Sequence, residues 1–186
     1  MMDPTIVLVA FALAMDSFSV SIANGLAQRT FKVSGALKIG FFFGLFQAIM
    51  PIVGWFAGTY VLDLISGFDH WIAFGLLVFI GCRMILESVQ VRSRKLLENL
   101  GIGLLLTLSV ATSIDALAVG LSFSFLRISI IMPVLLIGVV AFSLSFLGVY
   151  LGGKIGHLLE NRVEILGGVI LVVIGVRILV EHLGAN

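Results

Sequence analysis

The sequence predicts an all-α polytopic membrane protein: six transmembrane helices arranged as two inverted-topology three-helix repeats. Three observations lead there. The 186 residues are 60% hydrophobic and 11% charged, against ~45–50% and ~25% in a soluble domain. Six apolar runs each approach the roughly 20 residues that a helix needs to cross the hydrocarbon core. The two halves carry matching patterns around charges that are rare inside a membrane. The short alternating segments of a transmembrane barrel are absent.

The first span, about 5–27, holds Asp16 near its middle. It does not read as a signal peptide, because it lacks a positive n-region and Asp16 interrupts the apolar stretch. The second, about 34–60, contains Pro51. Proline has no N–H and clashes with the carbonyl four residues back, so the Gln47 carbonyl is freed. The third, about 71–90, carries Arg83 and Glu87 together with Cys82, the sole cysteine, which excludes an internal disulfide. Cys82 reads as a small apolar packing residue. The fourth, about 100–126, holds Asp115 and ends in a tight turn near Arg127. The fifth, about 129–151, has Pro133 in its first turn, where proline is benign. The sixth, about 164–183, carries Arg177 and Glu181. Together they form a single transmembrane domain over 1–186: repeat one about 1–90, a loop at 91–99, and repeat two about 100–186. No room remains for a soluble domain.

Basic residues are unevenly placed. The first loop has Arg29, Lys32 and Lys38, the third Arg92, Arg94 and Lys95, and the fifth Lys154 and Arg162. The second has none, and the fourth has only Arg127. The positive-inside rule puts loops one, three and five in the cytoplasm and both termini outside. Tyr60, Trp71 and Tyr150 fall near span ends, where amphipathic aromatics favour the interface. A formal net charge of +1 gives nucleic-acid binding no electrostatic basis.

The repeat is clearest in spans three and six. Gly81-Cys82-Arg83 followed by Glu87 matches Gly175-Val176-Arg177 followed by Glu181. Gly54 and Gly58 match Gly148 and Gly152 at the same offset. The Asp16 and Asp115 contexts match at an offset five residues larger, absorbed by the longer first loop. Three spans per half is an odd number, so the second copy enters the membrane upside down. Such repeats are the architecture of many secondary transporters, with the site near the midplane. A duplicated bundle without transport is the alternative.

A carboxylate near the bilayer centre costs about 2.5–3.5 kcal/mol on insertion scales. Two, in equivalent contexts, point to an ion or substrate route. On helices, Asp16 shares a face with Ala12, Ser19 and Ala23, and Asp115 with Ala111, Thr112, Ala118 and Ser122. Facing carboxylates repel unless a cation or proton lies between them. Gln47 adds an amide and a freed carbonyl; an ordinary proline kink with an interhelical amide hydrogen bond is the alternative. Met15 and Met50 read as packing filler before thioether ligands. Ser19, Asn24, Thr112 and Ser113 are candidate residues of the transport route, with a helix cap as the alternative for Asn24. Arg83–Glu87 and Arg177–Glu181 are i,i+4 pairs toward opposite membrane faces. They are candidate gates or, alternatively, snorkelling anchors. His70, His157 and His182 lack metal-ligand spacing. No P-loop exists, so driving energy must come from a gradient, the membrane potential or a partner.

The stretches Ala14-Met15-Asp16-Ser17-Phe18 and Ala111-Thr112-Ser113-Ile114-Asp115-Ala116, with the six-span layout, resemble the MntP-type manganese efflux pumps of bacteria. The His70–Phe74 start of span three and the Glu164–Gly168 start of span six also fit. The resemblance covers essentially the whole chain. It implies a multi-pass inner-membrane exporter of Mn²⁺, a secondary transporter and not an enzyme, with Asp16 and Asp115 at the site. Mn²⁺ enters as transported substrate, and no resident cofactor is implied. Some members carry a glutamate where this chain has Gln47, which removes one formal charge here. Mn²⁺ favours oxygen ligands in near-octahedral geometry, as two carboxylates with amide, hydroxyl, carbonyl and water oxygens supply. The competing readings are an exporter of small organic cations or amino acids, and a membrane-embedded enzyme or structural subunit. The lack of an aromatic cage beside either aspartate argues against an organic cation. The lack of a Ser/His/Asp or metalloprotease constellation argues against the enzyme. The expected partners are the metal and the bilayer, with homo-oligomerisation left open.

Overall fold

The computed structural model describes residues 4–27, 32–61, 74–75, 78–79, 82 and 101–184, mainly as backbone beyond residue 154. Among the described residues there are four long helices: α1 (Pro4–Ala27), α2 (Val33–Val61), α3 (Ile102–Phe125) and α4 (Ile131–Gly184). In hydrocarbon every backbone N–H and C=O must be satisfied within the chain, and a helix does this for each segment on its own. Pro4–Leu26, Val33–Tyr60, Ile102–Phe125 and Ile131–Lys154 are each long and apolar enough to cross a membrane.

Spans one, two and four match expectation to within a few residues. One difference stands out. Residues 152–163, expected as a loop, are helical, so spans five and six form one helix of 54 residues. At ~1.5 Å per residue it runs about 80 Å, far beyond a bilayer core. The local cause lies in the sequence: after Gly153 come Leu158, Leu159, Glu160 and Arg162, good helix formers, with no proline to stop them. The third span, with Arg83 and Glu87, lies outside the described residues apart from isolated helical positions. Arg177 and Glu181 lie on the α4 backbone, and their side chains are outside the description.

The tight turn after α3 is a Schellman motif. The Ile128 N–H donates to the Phe123 carbonyl at 2.9 Å and the Arg127 N–H to the Ser124 carbonyl at 3.0 Å. Arg127 takes the left-handed position with φ 55°, usually held by glycine. The Trp55 indole N–H donates to the Ile128 carbonyl at 3.0 Å and ties this turn to α2.

Backbone-to-backbone approach at glycines sets the helix packing. A Cβ on Gly54 would strike the Leu117 carbonyl, and one on Gly58 would meet Leu121 and Ser124. Partners advance together, so α2 and α3 run parallel. A Cβ on Gly148 would meet the Phe18 carbonyl, and one on Gly152 the Ile22 carbonyl, so α1 and α4 also run parallel. Gly40 faces Phe142 while Gly44 faces Gly138, so α2 and α4 run antiparallel. Lys32, Lys38 and Lys154 are exposed toward one end of the bundle, and Arg127 at the other.

Two apolar clusters fill the interior. One joins Val9, Ala10, Ala12 and Leu13 to Ala116, Val119, Phe123 and Ile137 toward the Arg127 end. The other joins Val20, Ala36, Ile39, Phe43, Leu105 and Val149 toward the lysine end. Between them lies a polar layer at mid-helix.

Candidate functional site

Asp16 and Asp115 sit at the middle of α1 and α3 and are 7% and 5% exposed. Both helices pass through the polar layer between the two clusters. Ala12, Ser19 and Ala23, expected on the Asp16 face, are buried. The Asp115 face is rotated slightly from expectation: Thr112 and Ser122 are buried, whereas Ala111 is exposed.

Gln47 is fully buried and joins the two helices. Its Nε2 donates to the Leu13 carbonyl of α1 at 3.4 Å and to the Thr112 carbonyl of α3 at 3.0 Å. Leu13 precedes Asp16 by three residues, and Thr112 precedes Asp115 by three. Residues three apart share a helix face. One amide nitrogen therefore binds the equivalent carbonyl beside each aspartate. This fixes the amide, since only the NH₂ can donate to two carbonyls. The oxygen then points away from them. Gln47 Oε1 is buried without a hydrogen-bond partner. Buried polar atoms in native proteins nearly always have partners, and an exception calls for an explanation such as an ion or water.

Hydroxyls surround this layer. Ser17 Oγ donates to the Ala14 carbonyl at 3.0 Å, and Ser113 Oγ to the Val110 carbonyl at 3.0 Å. Thr112 Oγ1 donates to the Ser109 carbonyl at 3.3 Å. Each spends its proton on its own helix and keeps oxygen lone pairs for another partner. Asn24 is fully buried inside the last turns of α1. Among the described residues no group of three or more His, Cys, Asp or Glu comes together. A cation here would rely on two carboxylates and neutral oxygens, a hard donor set suited to Mn²⁺.

Of the residues that sequence reasoning named, Asp16, Ser19, Asn24, Gln47, Thr112, Ser113 and Asp115 are all buried. Sequence reasoning missed Ser17, Ser21 and Ser145, all fully buried. The signal was weak, because serine is common in membrane helices and only packing shows which face is inward. It also missed the Trp55–Ile128 bond, which no local pattern announces.

Residues 30–179 match the family model described as "Putative manganese efflux pump". Proteins given that description with the name MntP align along nearly their full length. One from Methanosarcina mazei is 52% identical over 95% of this chain and 95% of its own. One from Clostridium perfringens is 47% identical over 97% and 95%. One from Gloeothece citriformis is 49% identical over 97% and 96%. No solved structure matches with significance.

Proposed function

The chain belongs to the MntP manganese efflux pump family, and from that premise we propose that it exports Mn²⁺ across the cytoplasmic membrane by alternating access about Asp16, Asp115 and Gln47. The observation that carries the reading is the bridge from Gln47 to the carbonyls beside both aspartates. It supports one shared site rather than two separate buried acids. Two carboxylates balance a divalent charge, and the cation relieves their repulsion. The unpartnered Gln47 Oε1 supplies a neutral ligand of the right chemistry. Among the described residues an apolar cluster lies on either side of the layer, which supports reading this conformation as an occluded one.

The inverted repeat gives the two access routes. Several packing relations recur across the halves. Gly54 against Leu117 corresponds to Gly148 against Phe18. Gly44 meets its own counterpart, Gly138, as expected at a two-fold axis. Val20 and Phe43 of one cluster correspond to Val119 and Ile137 of the other. The parallel course of α2 and α3 supports a crossing between them, the third span. A sixth span requires α4 to turn between the end of the fifth span and residue 164. The basic residues gathered at one end support a cytoplasmic placement of that end, with the N-terminus outside. Arg83–Glu87 and Arg177–Glu181 are the proposed latches on the two faces.

The test is Mn²⁺ efflux from loaded cells at matched protein level. Asp16→Asn and Asp115→Asn keep shape and remove charge, and each should abolish export. Asp→Glu should impair it, because ligand distances tolerate only about ±0.2 Å. Near wild-type efflux in the double Asp→Asn variant would overturn the mechanism.

A further inference from the structure

We infer that the half of the bundle toward the lysine-bearing end contains a built polar approach to the aspartates, lined by Ser17, Ser21, Asn24 and Ser145, which admits partly hydrated Mn²⁺ from the cytoplasm. This rests on Asp16 and Asp115 being the transport site and assigns the side from which they are loaded.

The two halves break their symmetry here. The two halves of the bundle share a packing pattern, so corresponding positions should be alike where only packing matters. Ser17, Ser21 and Asn24 lie on α1 between Asp16 and the lysine end. Their counterparts on α3 are Ala116, Gly120 and Phe123, and the counterpart of Ser145 is Pro51. One interface is polar and the other apolar at the same four positions. Both interfaces are closely packed, since a Cβ on Gly120 would overlap the Pro51 carbonyl and one on Gly25 the Val149 carbonyl, so the halves differ in the polarity of these positions and not in how near the helices come. The outer half has its own buried hydroxyls, Ser122, which bonds its own helix, and Ser124, whose Oγ is without a hydrogen-bond partner, but Ser124 packs on Gly58 with no run of polar residues between it and Asp115 comparable to Ser17, Ser21 and Asn24.

Ser145 supplies a second observation, an unpartnered hydroxyl that, unlike that of Ser124, lies against the polar stretch of α1. It is fully buried, and its Oγ has no hydrogen-bond partner. It faces α1, because Gly148 one turn on meets Ser21 and Phe18, and Val149 meets Gly25. A serine in an apolar helix normally returns its proton to its own backbone, as Ser21 does to the Ser17 carbonyl at 2.7 Å. Ser17 and Ser21 then present lone pairs. This is a set of neutral oxygens suited to replacing part of a cation's water shell without holding it as tightly as a carboxylate. Weak binding here and strong binding at the aspartates would draw the ion inward.

The test has two arms. In a Cys82→Ser background, Ser145→Cys should react with a membrane-impermeant thiol reagent from the cytoplasmic face of inside-out vesicles. Mn²⁺ should slow that reaction. The outward face should give none, and Ser143→Cys, on the exposed side of α4, should stay unmodified. Separately, Ser145→Ala should raise the half-saturating cytoplasmic Mn²⁺ for efflux roughly three- to tenfold with little change in maximal rate. A purely structural hydroxyl without a partner would give no such shift, since its loss leaves nothing unpaired. Lack of labelling from the cytoplasmic face, or a wild-type half-saturation in Ser145→Ala, would overturn the inference. Labelling does not depend on transport, so export surviving in the double Asp→Asn variant would instead locate the failure in the transport site.

Discussion

The side-chain amide of Gln47 donates to the Thr112 carbonyl at 3.0 Å, one helical turn before Asp115. The same nitrogen reaches the Leu13 carbonyl, one turn before Asp16. A residue of the second helix thus sets the spacing of the first and fourth spans at the depth of both acids. Its roles are distinguishable by substitution. Gln47→Leu removes the bridge and the free oxygen together and should cut Mn²⁺ export about tenfold or more. Both carbonyls keep their intrahelical bonds, so the protein should still insert. Gln47→Glu sets oxygen against two carbonyl oxygens and adds a third acid. It should cost about 1–3 kcal/mol of stability, read as a lower melting temperature in detergent. Equal stability of Gln47→Glu and wild type would remove the bridge as a structural element.

The glycine contacts predict a graded response to alanine. Gly54→Ala, Gly120→Ala and Gly148→Ala each place a Cβ against a neighbouring backbone carbonyl. Overpacking of this kind costs about 1–3 kcal/mol and should lower folded yield and export together. Gly103 has nothing within 4 Å of its would-be Cβ, so Gly103→Ala should be neutral. A neutral Gly120→Ala would contradict the close approach of α2 and α3.

Orientation is open to labelling in a Cys82→Ser background. Lys32→Cys should react only from the cytoplasm and Arg127→Cys only from outside, since both are exposed at opposite ends. A cysteine at Asn186 separates two courses for α4. Reaction from outside requires a sixth crossing, whereas reaction from the cytoplasm means that the helix continues past Lys154 on that side. Reversal at Lys32 would overturn the assignment of the loading side.

The arginine–glutamate pairs should behave as latches on opposite faces. Neutralising Arg83 and Glu87 together should favour opening on the cytoplasmic face, and neutralising Arg177 and Glu181 should favour the other. Cysteine accessibility at Ser145 and at Ser124 gives the readout. Unchanged accessibility and unchanged export in both double variants would return these residues to an anchoring role.

Much of this protein was decided along the chain. Apolar length dictated helices, because lipid leaves the backbone no other partner. The cost of burying charge singled out Asp16 and Asp115, and Pro51 drew attention to Gln47. The turn at Arg127 followed from how little chain separates the fourth and fifth spans. Tertiary structure decided what the apolar pattern could not. A helix that is hydrophobic all round does not reveal its inward face, and in a membrane that face is set by close packing of small residues. So the exposure of Ala111, the burial of Ser145 against α1 and the pairing of Gly54 with Leu117 were settled only by assembly. The Gln47 amide was settled the same way, because its orientation depends on two carbonyls that are 34 and 65 residues away in sequence.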